Sequence, residues 1–144
     1  MTDPDGSIVV GWVAPDVLYA KLGGGLSGRL GSAFAAKLRV LVDGKTSIRY
    51  FIDSSALKHY DLLARSALIR VLLAKRRAFE SFTMLSWAGE IGPGERAFAA
   101  ALGNGVDIIA SSDEFEAKLY RVAPTARQLL DPKTWVRPTP TSQR

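Results

Sequence analysis

Three short stretches hold the residues whose types and spacing could do chemistry. Gly23-Gly24-Gly25-Leu26-Ser27-Gly28 fits G-x-G-x-x-G, the pattern that lets a backbone approach a dinucleotide pyrophosphate. Asp53-Ser54-Ser55 sets a carboxylate beside two hydroxyls, a group that could cap a helix, accept a phosphoryl group or supply a nucleophile. His59 is the only histidine and so the only imidazole that could act as a base for those serines.

Each stretch has a plainer use. The glycines follow a predicted strand and precede a predicted helix, with Asp53 at the end of the next strand, where a ribose-binding acid would stand. Gly23, Gly25 and Gly28 are therefore the candidate nucleotide contacts. Against this, Gly31 moves the expected helix start past Ser32, away from the loop, and the chain has room for little beyond half of a two-halved dinucleotide fold. Glycine also serves wherever a connection needs positive φ or close packing, and a strand-to-helix turn is the favoured reading. The chain has no cysteine, and no acid stands at ligand spacing from His59, so no metal site is expected there. No G-x-S-x-G elbow surrounds Ser54 or Ser55, and His59 is too near in the chain to serve them. No catalytic residue and no cofactor is expected, and the protein is read as a non-enzyme.

The elements that must position these residues follow from hydrophobic period. Ile8 to Val13 and Val17 to Leu22 read as a hairpin around Ala14-Pro15-Asp16, the second strand ending at the glycines. Leu30, Phe34, Leu38 and Leu41 recur on one helical face, which Asp43-Gly44 ends. Ser47 to Ile52 reads as a strand that stops at Asp53. Asp61 to Arg77 reads as a long helix with Leu63, Ala67, Leu68, Val71 and Leu72 inward. Phe82 to Trp87 is a strand, Ala88 to Gly94 a glycine-rich loop, and Pro93 to Gly103 brackets a helix. Val106 to Ala110 is a last strand, and Ser111 with Glu114 opens another helix with Phe115, Leu119 and Val122 inward. A short helix is expected over Ala126 to Leu130. Phe34, Phe51, Phe98 and Phe115 fall at core positions.

This order predicts a single-layer, mostly parallel mixed sheet of about five strands with four main helices and an opening β-hairpin, an α/β domain over residues 1–123. In such sheets ligands meet the carboxyl ends of the strands, which makes Trp87, Ser111 and Ser112 candidate rim contacts beside Ser54. Residues 124–144 read as a basic, Pro- and Thr-containing extended tail.

Composition narrows the function further. Of the 144 residues 47% are hydrophobic and 23% charged, the balance of an ordinary globular domain. The net charge of +5 is concentrated at the end: from Arg121 onward there are five basic residues and one acid, leaving fourteen and thirteen before it. A nearly neutral body argues against nucleic acid as partner. No apolar run nears the length of a membrane span, and the polar, acidic N-terminus does not read as a secretory signal. With no cysteine, these features favour a bacterial cytoplasm. The exposed first strand could pair with a second copy.

"YFIDSSAL", residues 50–57, resembles the STAS domain of bacterial anti-sigma-factor antagonists, in which a strand ends in Asp-Ser-Ser-Gly-Leu and a helix starts directly after it. "LGGGLSGRLGSAFAAKL" and "NGVDIIASSDEFEAKL" match that domain's earlier Gly-containing turn with its helix and its late strand–helix pair. The resemblance covers about residues 17–120. It implies a regulatory module that binds a protein partner, with Ser54 as the serine a partner kinase modifies and Asp53, Ser54 and Ser55 as the docking surface. Two departures stand out: Ala56 replaces the glycine, and the stretch from Ser54 to Phe82 is about ten residues longer than usual. The extra length, read as a short turn and then a long helix, is similar to uncharacterised bacterial STAS-like and SEC14-like families.

Overall fold

The computed structural model describes residues 1–86 and 92–130. Trp87, most of the 88–94 loop, Trp135 and the tail from residue 131 lie outside the described residues. The chain runs β1 (Gly6–Ala14), β2 (Val17–Leu26), α1 (Gly28–Val42), β3 (Ile48–Tyr60), α2 (Leu62–Ala74), a 3-10 turn (Arg76–Ala78), β4 (Phe79–Leu85), α3 (Pro93–Leu102), β5 (Val106–Ile109), α4 (Ser112–Val122) and α5 (Ala126–Leu129). The strands form one sheet in the order β1-β2-β3-β4-β5, antiparallel between β1 and β2 and parallel elsewhere. This is the expected mixed, mostly parallel α/β sheet with an opening hairpin and four main helices. No described helix is long and apolar enough to cross a membrane.

Strands β2 to β5 are laid down in sequence order in one direction, so right-handed crossovers bring α1, α2 and α3 to the same face. The main core lies there, with Leu18, Ala20, Leu22, Tyr50, Ile52, Phe82 and Met84 from the strands against Phe34, Leu38, Leu68, Val71 and Phe98 from the helices. A smaller core lies on the opposite face, where Val17, Tyr19, Phe51 and Leu85 meet Phe115, Leu119, Ala123 and Ala126 of the C-terminal helices. The Phe51 and Phe115 rings cross edge to face at 5.8 Å. Alternate residues of β2 thus feed opposite cores, the behaviour of strands covered on both faces. The four phenylalanines expected in the core are all buried.

Two expected boundaries are corrected. The glycines are not a strand-to-helix turn: β2 continues through Gly23, Gly24 and Gly25 to Leu26. Gly24 adopts a φ of +71°, a left-handed value that a side chain disfavours, and a Cβ there would strike the Asp5 carbonyl. β3 does not stop at Asp53 but runs on to Tyr60. The two extensions pair with each other, Gly23 with Ala56, Gly24 with Leu57, Gly25 with His59 and Leu26 with Tyr60. His59, expected in a junction, is an exposed strand residue.

The helices that follow shift accordingly. α1 begins at Gly28, not after Ser32, because Ser27 caps it by accepting the Leu30 N–H at 3.0 Å. Gly31 is therefore inside the helix. In an open helix it would cost about 1 kcal/mol relative to Ala, but here a Cβ would collide with Ala64 of α2. The small pair sets the distance between α1 and α2. α2 ends at Ala74, and Leu63 at its start is 75% exposed rather than inward. It lies over Gly28, which has no side chain to cover it. At the other end Gly103, with φ +81°, caps α3 as expected, and Ser111 caps α4 by accepting the Glu114 N–H at 3.2 Å.

Candidate functional site

The Asp53-Ser54-Ser55 stretch lies in a bulge in mid-strand, not at a helix N-terminus. Lys21 pairs with Asp53 and Gly23 with Ala56, so β3 carries one residue more than β2 between them. Asp53 turns to the side of the smaller core. There its Oδ1 accepts from the Ser55 N–H at 3.0 Å and the Ser55 hydroxyl at 2.6 Å. Burial, and then the nearby Asp53 charge, push the Tyr19 phenol far above its ordinary range. Ser54 turns the other way. It is 4% exposed, and its Oγ donates to the Leu85 carbonyl at 2.6 Å.

That bond sits at a fork. The last β3–β4 pair is Asp53 with Leu85, after which β4 ends while β3 continues alongside β2 alone. The divergence opens a pocket of about 160 Å³ between the extended part of β3, the sheet and the helices α1, α2 and α3. Its walls are largely apolar: Leu22, Leu26, Phe34, Ile52, Leu57 and Met84 are among them, and all are buried. The lining residues that reach solvent are Tyr60, Arg65 and the start of α3, Gly92 to Glu95, so the mouth lies there.

The polar groups of the mouth are few and held by backbone geometry. Arg65 Nη1 donates to the Tyr60 hydroxyl at a long 3.5 Å, and its guanidinium lies 5.8 Å from the Tyr60 ring centre. The Tyr60 hydroxyl rests against α3 at Gly94, where a Cβ would occupy its place. Glu95 Oε1 accepts the Gly92 N–H at 2.7 Å, drawing that carboxylate toward the start of α3. Deeper in, Tyr50 is 1% exposed, and its hydroxyl makes no hydrogen bond among the described residues. Burial pushes that phenol well above its ordinary range.

The remaining residues singled out in the sequence do not gather at this mouth. Ser111 is occupied as the α4 cap, and Ser112 is exposed beside it beyond β5. Gly23 and Gly25 lie in paired strand, with the Gly25 N–H donating to the Asp5 carbonyl at 2.8 Å and the His59 ring over its Cα. The Gly28 N–H at the start of α1 donates to Asp61 Oδ2 at 3.0 Å. A phosphate there would meet a carboxylate already in place, which counts against a nucleotide on the glycines. Gly94 ends the glycine-rich loop noted in the sequence, whereas Tyr60, Arg65 and Glu95 carried no motif. A further sequence signal near them is the pair of Leu57 and Tyr60 flanking Lys58-His59.

No protein-family model matches the chain, and no curated protein matches it. Solved structures do. An uncharacterised protein of the DUF3478 family from Shewanella loihica PV-4, described as having a SpoIIAA-like fold, superposes with TM-score 0.63 at 18% identity over 83% of this chain and 98% of that one. The anti-sigma factor antagonist SpoIIAA in its unphosphorylated form gives 0.56 at 16% identity over 80% and 98%. An anti-sigma factor antagonist from Mycobacterium paratuberculosis gives 0.52 at 16% identity over 82% and 97%. The resemblance read from the sequence is thus matched in three dimensions, and the chain folds as a STAS-like domain on the SpoIIAA plan.

Proposed function

We propose that the protein is a non-enzymatic regulatory binding module whose site is the pocket at the β3–β4 fork, and that it takes a small, mainly apolar molecule there. One observation carries the reading: a void of about 160 Å³ inside the main core, walled by buried aliphatic and aromatic side chains and open at Tyr60 and Arg65. Interiors pack tightly, and a void lined by apolar groups forfeits contacts that a ligand restores. Binding to the folded form alone raises the melting temperature by mass action. A thermal-shift series with small aromatic and aliphatic compounds tests the reading, and a flat response across the series would refute it.

A protein partner is the second reading, favoured by Leu62 and Leu63, which are 69% and 75% exposed at the start of α2. The likeness to anti-sigma factor antagonists supports a regulatory role of this kind. Phosphorylation at Ser54 draws on the Asp-Ser-Ser pattern, but a kinase would reach that hydroxyl only by opening the fork, whereas Ser55 is exposed. A homodimer would form along β1 beyond Ile8, since Met1 already bonds both backbone groups of Ile8. A location in the cytoplasm is part of the same proposal. Phosphate mapping after incubation with lysate and ATP, and sedimentation of the purified chain, test the modification and the dimer.

A further inference from the structure

Resting on the pocket reading, we propose that its ligand is a small apolar carboxylate: a hydrocarbon ring or short chain of about six carbons with one carboxylate at the mouth. Size sets the hydrocarbon part. The pocket's roughly 160 Å³ is close to the volume of about 150 Å³ at which an engineered apolar cavity accepts benzene. A long acyl chain does not fit within it.

Charge sets the other end. Arg65 lines the pocket, is only partly exposed, and makes no ion pair among the described residues. Among the described residues the one hydrogen bond of its guanidinium, to Tyr60, is long and engages one of five donors. A guanidinium at an apolar opening has lost part of its hydration without gaining a counter-ion, and a carboxylate restores that balance through two parallel hydrogen bonds. The Tyr60 hydroxyl, held at Gly94, adds a third donor. The acid on the same rim, Glu95, also lines the pocket and accepts the Gly92 N–H through Oε1 at the N-terminal end of α3. A cationic ligand would face Arg65 directly.

The test uses the full chain with benzoate, benzamide and toluene as probes, followed by amide NMR titration. Benzoate should shift residues around the fork and bind about tenfold more tightly than benzamide, the scale of a charge-assisted hydrogen bond. Arg65→Gln should remove the preference of benzoate over benzamide, and Arg65→Lys should restore part of it. Leu68→Trp, which fills the pocket, should abolish binding of all three. Toluene binding with no preference for benzoate, or a preference that survives Arg65→Gln, would overturn the carboxylate assignment and leave the pocket reading standing. No binding by any probe would overturn both, as would benzoate binding that persists in a folded Leu68→Trp chain.

Discussion

The Ser54 hydroxyl donates to the Leu85 carbonyl at 2.6 Å, at the point where β3 leaves β4. The bond closes the base of the fork and satisfies a strand-end carbonyl that the pocket would otherwise strand. Ser54→Ala should therefore destabilise by about 1–2 kcal/mol in urea unfolding, the cost of leaving a buried acceptor unpaired. Ser54→Asp places a carboxylate among apolar walls and should cost about 3 kcal/mol or more. An aspartate variant as stable as the parent would mean that this position is open to solvent and available to a kinase.

Filling the pocket should be tolerated where filling the packed core is not. Leu68 lines the void, whereas Leu18 is buried in the same core away from it. Leu68→Phe is expected to change stability by less than about 1 kcal/mol or to raise it, while Leu18→Phe should lose about 1–3 kcal/mol. Equal losses at the two positions would show that no usable space exists beside Leu68.

The contact between Gly31 and Ala64 reverses the usual helix rule. Replacing a mid-helix glycine by alanine ordinarily stabilises by up to about 1 kcal/mol. Gly31→Ala should instead destabilise, by about 1–3 kcal/mol, because its Cβ meets the Cβ and Cα of Ala64. Ala64→Gly in the same chain should recover part of the loss, and a double-mutant cycle by chemical denaturation measures the coupling.

Alkaline pH should weaken the fold through its buried phenols. Tyr50 and Tyr19 are both raised above their ordinary value of 10.0, chiefly by burial. For a group raised on folding, the stability is fully present below the unfolded value and is lost as pH climbs toward the folded one. Stability should therefore begin to fall above pH 10. Tyr50→Phe removes one of these groups together with a hydroxyl that makes no hydrogen bond among the described residues, so it should unfold at higher pH than the parent and lose little at neutral pH. Circular dichroism across an alkaline titration of both chains checks this.

Much of the architecture was legible before any coordinate. The hairpin, the strand–helix alternation, the Ser111 and Gly103 caps and the aromatic core positions follow from local period and turn chemistry, which neighbouring residues decide among themselves. The Asp-Ser-Ser and glycine stretches also located the SpoIIAA-like plan. Their placement within it was misread. Gly23-Gly24-Gly25 breaks a strand by every local preference, and so does Asp53-Ser54-Ser55, yet both lie in strand: the glycines pair with Ala56, Leu57 and His59 of β3, and Asp53 pairs with Lys21 of β2 and Leu85 of β4.

That pairing accounts for the split between the two levels. The linear chain by itself determined most of the strand and helix segments, the Gly103 and Ser111 caps, and the fold class that results. Only the tertiary structure decided that β3 outruns β4, and with it the pocket, its Arg65–Tyr60 mouth and the burial of Ser54. These depend on hydrogen bonds and packing between residues some thirty positions apart, a separation at which no local pattern records the partner.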